Sequence, residues 1–256
     1  MAEAFSPDSK FVDAISPSSN HGERRGFRRP EYVVLHYTGM PSSEAAIALL
    51  CDPKAEVSSH YVIEEAGRIV QLAPESRRAW HAGISSWRGI ADMNSASIGV
   101  EICNAGHDGG LPAYPDAQIQ SVIALCLDIA IRHAVLPERF LAHSDIAPSR
   151  KRDPGENFPW RKLAQAGVGR WEDAGAPHAE SEFGRGQEGP HVRALQTMLA
   201  LYGYGLHASG VYDRDTEVVV AAFQRHFRPA RVDGMADAST VGLLRKLLST
   251  SPAAPV

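Results

Sequence analysis

The stretch Tyr32-Val-Val-Leu-His36 decides how the rest of this chain can be read. It is short, apolar and rich in β-branched residues, which predicts a buried strand, and it ends on a histidine directly before a polar loop. Two further runs have the same character. Ser97-Ile-Gly-Val-Glu-Ile-Cys103 predicts another strand, and Phe140-Leu-Ala-His143 predicts a last short strand that also ends on a histidine.

Between these runs the chain mixes helix and strand patterns. Pro41-Ser-Ser-Glu-Ala-Ala-Ile-Ala-Leu-Leu50 begins like a capped helix. Residues 59–64 and 68–72 flank Glu65-Ala-Gly67, which predicts a hairpin with a short loop. Apolar residues recur at helical spacing over 116–133, so we expect a long helix there. Strands and helices in this order favour an α/β or α+β domain around one central sheet.

The sequence predicts two domains joined by a linker. Residues 1–165 form the predicted first domain, which begins with an irregular leader, rich in Ser and Pro, over residues 1–29. Residues 166–189 are rich in Gly, Ala and Glu and have little periodicity, so we expect a linker. Residues 190–250 are predicted to form a small all-α domain.

A short internal repeat defines this second domain. Gly210-Val-Tyr-Asp213-Arg-Asp-Thr216 and Gly234-Met-Ala-Asp237-Ala-Ser-Thr240 share the pattern Gly-x-x-Asp-x-x-Thr, and each precedes an apolar helical pattern. Glycine supplies the turn, and the Asp or Thr can cap the helix that follows. With the helix predicted before them, these two segments make a compact three-helix module that carries no metal-binding or nucleophile constellation of its own.

Composition limits the classes of function. The chain has 256 residues, 44% hydrophobic and 22% charged, and a formal net charge of -4, which gives no electrostatic case for nucleic-acid binding. No apolar run approaches the roughly 18 to 20 residues that a membrane span needs. The three cysteines imply no disulfide framework. The N-terminus lacks the basic start and apolar stretch of a secretory signal.

The candidate metal ligands are His36, His143 and Asp153. Each histidine ends a strand-like run, where catalytic groups are held by a rigid sheet yet open to solvent, and Asp153 lies in a loop that Pro154 and Gly155 turn. Two imidazoles and one carboxylate suit zinc and leave a fourth position for water. A lone histidine near a strand is more often a hydrogen-bonded core residue than a ligand, and no His-Glu-x-x-His helix is present.

Five motifs, in order along the chain, resemble those of the zinc N-acetylmuramoyl-L-alanine amidases, which share their fold with the peptidoglycan recognition proteins. The resemblance covers about residues 15 to 165. A separate set of motifs around Gln196, Gly203, Asp213, Gln224 and Gly234 resembles the three-helix peptidoglycan-binding module. The five amidase motifs are Val34-Leu-His-Tyr-Thr38, Ser59-His-Tyr-Val-Ile63, Trp80-His-Ala-Gly83, Asn94-Ser-Ala-Ser-Ile-Gly-Val-Glu101 and His143-Ser-Asp-Ile-Ala-Pro-Ser-Arg-Lys-Arg-Asp-Pro-Gly155.

The resemblance implies a fold and a set of roles. The fold is α/β, a central mixed sheet flanked by helices, followed by the small three-helix domain. One Zn²⁺ per chain would be held by His36, His143 and Asp153, with Glu101 and Lys151 as catalytic residues. Glu101 would transfer protons, and Lys151 would stabilise the charge of the tetrahedral intermediate. Residues that match positions near the family's substrate groove, or could meet the carboxylates of the stem peptide, are His60, Trp80, His81, Asn94 and Arg150.

Ordinary structural roles are the alternatives to these functional ones. A glutamate on a strand is usually solvated or ion-paired, His60 and His81 could equally be core histidines, and Arg150 could lie in a merely solvated loop. The expected reaction is hydrolysis of the amide between N-acetylmuramic acid, or its anhydro form, and L-alanine of the stem peptide. The alternatives are a non-catalytic peptidoglycan recognition protein and a zinc peptidase that cuts within the stem peptide.

Substrate form and location stay open at this point. The C-terminal module favours the wall polymer and an envelope or periplasmic location, whereas the missing signal favours the cytoplasm and soluble anhydro-muropeptides. Of the two locations the envelope is preferred. We expect a monomer whose partners are peptidoglycan or muropeptides, with no nucleic acid and no transmembrane segment.

Overall fold

A mixed six-stranded sheet is the centre of the molecule. The computed structural model describes residues 5–173 and 182–250. The sheet has the strand order β1-β5-β4-β7-β3-β8, and β2 pairs with β6 in a separate two-stranded sheet. The strands are Ala14–Ile15 (β1), His21–Glu23 (β2), Tyr32–Tyr37 (β3), Tyr61–Ile63 (β4), Ile69–Gln71 (β5), Arg77–Ala79 (β6), Ser97–Ile102 (β7) and Phe140–Ala142 (β8).

Helices cover the sheet and form the C-terminal module. Three single 3₁₀ turns, at Pro53–Ala55, His107–Gly109 and Pro137–Arg139, lie in connections. The α-helices are Ser43–Cys51 (α1), Met93–Ala96 (α2), Asp116–His133 (α3), His143–Ile146 (α4), Trp160–Gln165 (α5), Pro190–Tyr202 (α6), Arg214–Phe227 (α7) and Ala238–Ser249 (α8). The predicted α/β fold with a small three-helix domain is therefore confirmed.

Three parallel strands set the position of the functional site. β3 pairs in parallel with β7 on one side and with β8 on the other. In this register His36 lies opposite Glu101, and Leu35 lies opposite Ala142, the residue before His143. The carboxyl ends of parallel strands meet at one edge of a sheet, where ligands bind in open α/β folds. The two histidines and Glu101 therefore lie at the same edge.

Helix packing on both faces makes the sheet rigid. Helix α3 buries Ile119, Val122, Cys126 and Ile129 against one face, the stripe that the sequence predicts. Helix α1 begins after Ser42, whose hydroxyl accepts from the Ala45 N–H, and buries Leu50 on a smaller cluster. Burial of this apolar surface is the main source of stability, and it holds the strands in one register.

The repeat of the C-terminal module works as predicted. Asp213 and Asp237 cap α7 and α8 by accepting from the Thr216 and Thr240 N–H groups. A buried glutamine completes each copy. Gln196 accepts from the Gly210 N–H, and Gln224 accepts from the Gly234 N–H, both at 2.8 Å.

The module and the sheet domain share one apolar core. Trp87, from the sheet domain, is 1% exposed and packs edge-on against Tyr204, with ring centroids 5.0 Å apart. The Arg88 N–H donates to the Gly203 carbonyl at 2.8 Å. A Cβ on Gly203 would overlap the Trp87 ring at 2.5 Å, so only glycine permits this approach. The two domains are packed into a single body.

The leader and the linker are more ordered than their composition predicts. The leader carries β1 and β2, which pair with β5 and β6, so the expectation of an irregular leader is wrong for these segments. Strands of two or three residues are too short to show a period. In the linker, Val168 is fully buried beneath α3, and Phe183 pairs with Ala236. Its central part, residues 174–181, and residues 1–4 of the leader lie outside the described residues.

None of the helices within residues 5–173 and 182–250 has the length and apolar character to cross a membrane.

Candidate metal centre

Three buried side chains meet at the carboxyl edge of the sheet. Nδ1 of His36 lies 2.8 Å from Nδ1 of His143 and 3.1 Å from Oδ2 of Asp153. The same carboxylate oxygen is 2.9 Å from Nδ1 of His143. His36 is the penultimate residue of β3, and His143 begins α4 directly after β8, where the sequence predicted the end of the strand. A backbone hydrogen bond from Ser144 to the Asp153 carbonyl brings in the third residue. The predicted trio is thus brought together.

Hydrogen bonds behind His36 fix its tautomer. Ser97 donates its hydroxyl hydrogen to the Met93 carbonyl, so its oxygen must accept from Nε2–H of His81 at 3.3 Å. Nδ1 of the neutral His81 ring then accepts from Nε2–H of His36 at 3.0 Å. This chain leaves Nδ1 of His36 without a hydrogen and directed at the centre. Outer partners of this kind orient metal-binding histidines.

His143 is held in the same way by a backbone group. Its Nε2–H donates to the Ala82 carbonyl at 3.1 Å, which leaves Nδ1 to face the centre. The carbonyl is fixed because the Asn94 side-chain oxygen accepts from the N–H groups of both His81 and Ala82. Gly99 also contributes, since a Cβ there would overlap the His81 ring.

Electrostatics favour cation binding at this point. Burial and the neighbouring His143 lower the pKa of His36 to about 4, so the ring is neutral near pH 7. Burial alone would raise the pKa of Asp153, but His143 and His36 outweigh it and lower this pKa well below its ordinary value. His36 and Asp153 therefore offer unprotonated donors, the form in which side chains bind metals.

Glu101 lies beside these donors in a different environment. Its Oε2 is buried and has no hydrogen-bond partner among the described residues. Burial, with a further contribution from the charge of Asp153, raises the pKa of Glu101 well above its ordinary value. A buried carboxylate without a partner is costly, and such strained groups are concentrated at functional sites.

Two residues of the basic loop before Asp153 have different environments. Lys151 forms no ion pair with any residue in the part of the chain that the structure describes, so its ammonium group is available to a ligand. Arg150, in contrast, forms hydrogen bonds with backbone carbonyls. Its Nη2 donates to the carbonyls of Ala82 and Ile84, at 2.8 and 2.9 Å. The structure thus gives Arg150 a role in holding the loop that contacts His143, where the sequence suggested a stem-peptide contact.

The remaining predicted substrate residues fall into two groups. His60 is fully buried, accepts from the Gly99 N–H through Nδ1 and faces the Arg77 carbonyl with Nε2, so it offers no surface to a substrate. His81 and Asn94 are also buried and act behind the metal ligands. Trp80 alone is partly exposed, at the end of β6. Sequence reasoning gave no role to the Ala82 carbonyl or to Ser97, although both lie within the quoted motifs, because a motif does not show which backbone group or hydroxyl faces a ligand.

The donor set fits a cation. Two imidazole lone pairs and a carboxylate oxygen approach one another within 3.1 Å, and they repel unless a positive charge lies between them. The three donors are all buried and mutually close. Three protein ligands with an open position, next to a carboxyl group of raised pKa, are typical of metal-dependent hydrolases.

Comparison with known proteins shows which family of metal-dependent hydrolases this chain resembles. Residues 26–156 match the N-acetylmuramoyl-L-alanine amidase family, and residues 188–244 match a peptidoglycan binding domain family. The chain belongs to the N-acetylmuramoyl-L-alanine amidase family.

Individual relatives agree with this assignment. The N-acetylmuramoyl-L-alanine amidase AmiD of Escherichia coli is 40% identical over 87% of this chain and 83% of its own length. The 1,6-anhydro-N-acetylmuramyl-L-alanine amidase AmpD of Citrobacter freundii is 34% identical over 57% of this chain and 86% of its own.

Two solved structures resemble the whole fold. AmiD, in complex with anhydro-N-acetylmuramic acid-L-Ala-D-gamma-Glu-L-Lys, superposes with a TM-score of 0.75 at 37% identity and covers 91% of this chain and 98% of its own. AmpDh3 of Pseudomonas aeruginosa, in complex with anhydromuramic pentapeptide, gives a TM-score of 0.72 at 30% identity, covering 93% and 96%.

Proposed function

We propose that this chain is a zinc-dependent amidase that hydrolyses the bond between N-acetylmuramic acid, or its anhydro form, and L-alanine of a stem peptide. The observation that carries the proposal is the convergence of His36, His143 and Asp153 beside the unpartnered carboxyl group of Glu101. The substrate is inferred from the anhydromuramic ligands bound by AmiD and AmpDh3. We keep the expectation of a monomer that binds one Zn²⁺.

The proposed roles follow from position and charge. His36, His143 and Asp153 would hold a zinc ion, which would supply Lewis-acid activation of water and of the scissile carbonyl. Glu101 takes a proton from the attacking water and delivers it to the leaving amine of L-alanine, which its raised pKa favours. Lys151 stabilises the negative charge that develops on the carbonyl oxygen. Trp80 is the proposed substrate contact among the matched groove residues.

The C-terminal module is proposed to bind the wall polymer. Its match to a peptidoglycan binding domain family supports this role, and it is the reason that we place the reaction in the cell envelope. We keep the proposed division into an amidase domain over 1–165 and a binding domain over 190–250, joined by 166–189. A recognition protein without catalysis would have no need of a Glu101 side chain whose Oε2 is buried without a hydrogen-bond partner among the described residues.

Product analysis tests the function directly. Purified protein is incubated with soluble anhydro-muropeptides and, separately, with intact sacculi, each with and without a chelator, and products are identified by mass spectrometry. We expect free stem peptides that begin at L-alanine, lost on chelation and restored by Zn²⁺. Cleavage within the stem peptide, or zinc binding with no cleavage in either arm, contradicts the proposal.

A further inference from the structure

Two consecutive residues of the C-terminal module reach the two segments that carry the metal ligands His143 and Asp153. Arg225 and His226 lie in the last turn of α7 and are nearly buried. His226 contacts Asp145, two residues after His143, and Arg225 contacts Glu156, three residues after Asp153. The module thus contacts two residues, Asp145 and Glu156, that are each close in sequence to a metal ligand.

Asp145 depends on the module for most of its hydrogen bonds. The carboxylate is 1% exposed and accepts from the Ala142 N–H within its own domain at 2.8 Å. The other two donors belong to the module. Nδ1–H of His226 donates to Oδ2 at 2.7 Å, and the Tyr204 hydroxyl donates to Oδ1 at 2.8 Å. A buried carboxylate requires such donors, so the short helix α4 is held in place from the module side.

Stacking fixes the direction in which His226 donates. Its ring lies between Trp160 and Phe227, with centroid distances of 3.8 and 4.0 Å and interplanar angles of 22° and 3°. The imidazole cannot rotate out of this stack without losing both faces. Nδ1–H therefore points at Asp145 in a set geometry.

The second contact reaches the other ligand loop. Nε of Arg225 donates to Oε1 of Glu156 at 2.9 Å, while Oε2 of Glu156 faces Nε2 of His107 at 2.7 Å. Nδ1 of His107 lies 3.0 Å from the Tyr37 hydroxyl, and Tyr37 directly follows the ligand His36. Both chains of contacts begin in one turn of α7 and end beside the three ligands.

We propose that the last turn of α7 is a positioning element of the metal centre, with His226 and Arg225 as its positioning residues. In this arrangement the wall-binding module also holds the loops of His143 and Asp153 at the spacing that zinc requires. The inference rests on the proposed zinc site and extends it to a part of the chain outside the amidase family match.

Zinc affinity of the full chain tests this proposal without any substrate. The dissociation constant is measured by competition with a fluorescent chelator for wild type, His226→Ala and Arg225→Ala, and thermal unfolding of the metal-free proteins is recorded in parallel. We expect each variant to bind zinc about tenfold more weakly, the lower end of the range for outer partners of a metal ligand. His226→Asn, whose side-chain amide can still donate to Asp145, should recover most of the affinity.

Arg228→Ala is the matched control. Arg228 follows directly after α7 and is 14% exposed against 10% for Arg225, but its partner is Asp237 inside the module, at 2.7 Å. This variant should lose thermal stability and keep wild-type zinc affinity. The proposal is overturned if His226→Ala and Arg225→Ala bind zinc as wild type does, or if Arg228→Ala weakens binding equally. Failure of the wild type to bind zinc would instead refute the proposed function, and this inference with it.

Discussion

At the scale of single residues, two carboxyl groups at the metal centre have opposite environments. Hydrogen bonds and the nearby histidines lower the pKa of Asp153, whereas burial raises that of Glu101. Environments that push two pKa values apart separate the roles of ligand and proton carrier. Asp153 is suited to bind a cation as a carboxylate, and Glu101 is suited to gain and lose a proton.

Replacing each carboxylate by its amide separates these roles. Glu101→Gln should keep zinc and lose at least about 100-fold in kcat, because the proton carrier is gone. Asp153→Asn should lose zinc affinity, because the charged ligand is gone. Zinc content and turnover of anhydro-muropeptides are measured for both. Turnover of Glu101→Gln within tenfold of wild type would refute the role of Glu101.

His81 should act through His36. His81→Ala removes the acceptor that keeps hydrogen on Nε2 of His36, so zinc affinity should fall about 10- to 100-fold. Tyr61→Phe is the control, since this side chain is fully buried in the central sheet and its hydroxyl donates to Glu75. Chelator competition distinguishes the two; equal losses would mean that only general packing is affected.

At the scale of elements, the module's two turns each depend on a buried glutamine. In Gln196→Ala the Gly210 N–H loses its acceptor, which should lower the free energy of unfolding by about 1–3 kcal/mol. The neighbouring Thr197 is exposed and bonds only within its helix, so Thr197→Ala should cost less than about 0.5 kcal/mol. Urea unfolding measures both, and a loss as small for Gln196→Ala would argue against this role.

Glu75 joins the end of α3 to β4 and makes stability depend on pH. Burial would raise its pKa, but hydrogen bonds from His133, Arg132 and Tyr61 outweigh burial and lower the pKa to about 2. Because this pKa lies below the ordinary 4.5, the stabilisation is complete above pH 4.5 and is lost as the pH falls towards 2.

The free energy of unfolding should therefore fall less steeply at acid pH when this carboxylate is removed. Between these pH values wild type should lose on the order of 3 kcal/mol through Glu75, and Glu75→Gln should lack this part of the loss. Glu64→Gln removes a more exposed carboxylate, paired with Arg68, and should keep it. Denaturant unfolding at several pH values from 5 to about 2 measures the difference; identical slopes for wild type and Glu75→Gln would contradict the assignment.

The sequence predicts the elements that have a clear period or cap. The strand at 32–37, the helix at 116–133, the hairpin and the Asp-capped helices all carry apolar spacing that local physics determines. Residues 14–15, 21–23 and 77–79 form strands only because partners lie beside them, so no local pattern marks them.

The same limit applies to the site. Motifs name its side chains, but the contacts of the Ala82 carbonyl with His143 and of His226 with Asp145 form only when the chain folds.

At the scale of the whole molecule, one core unites the two domains, and Trp87 lies at its centre. Trp87→Ala should cost about 3–5 kcal/mol, as for other buried aromatic residues, and should split a single calorimetric transition into two. Ile131→Ala, at an 82% exposed position on α3, is the control and should leave one transition. A single transition in Trp87→Ala would indicate that other contacts suffice to join the domains.

The closeness of Gly203 to the Trp87 ring has a consequence for cutting a polymer. A binding module on a loose tether raises the local concentration of its enzyme throughout a volume. Here the module is packed against the catalytic sheet, so a glycan strand bound by the module as proposed would reach the metal centre at one distance and one angle. Along a wall, such an enzyme would release stem peptides at a fixed distance from the glycan segment that the module binds, and it would leave the nearer stem peptides uncut.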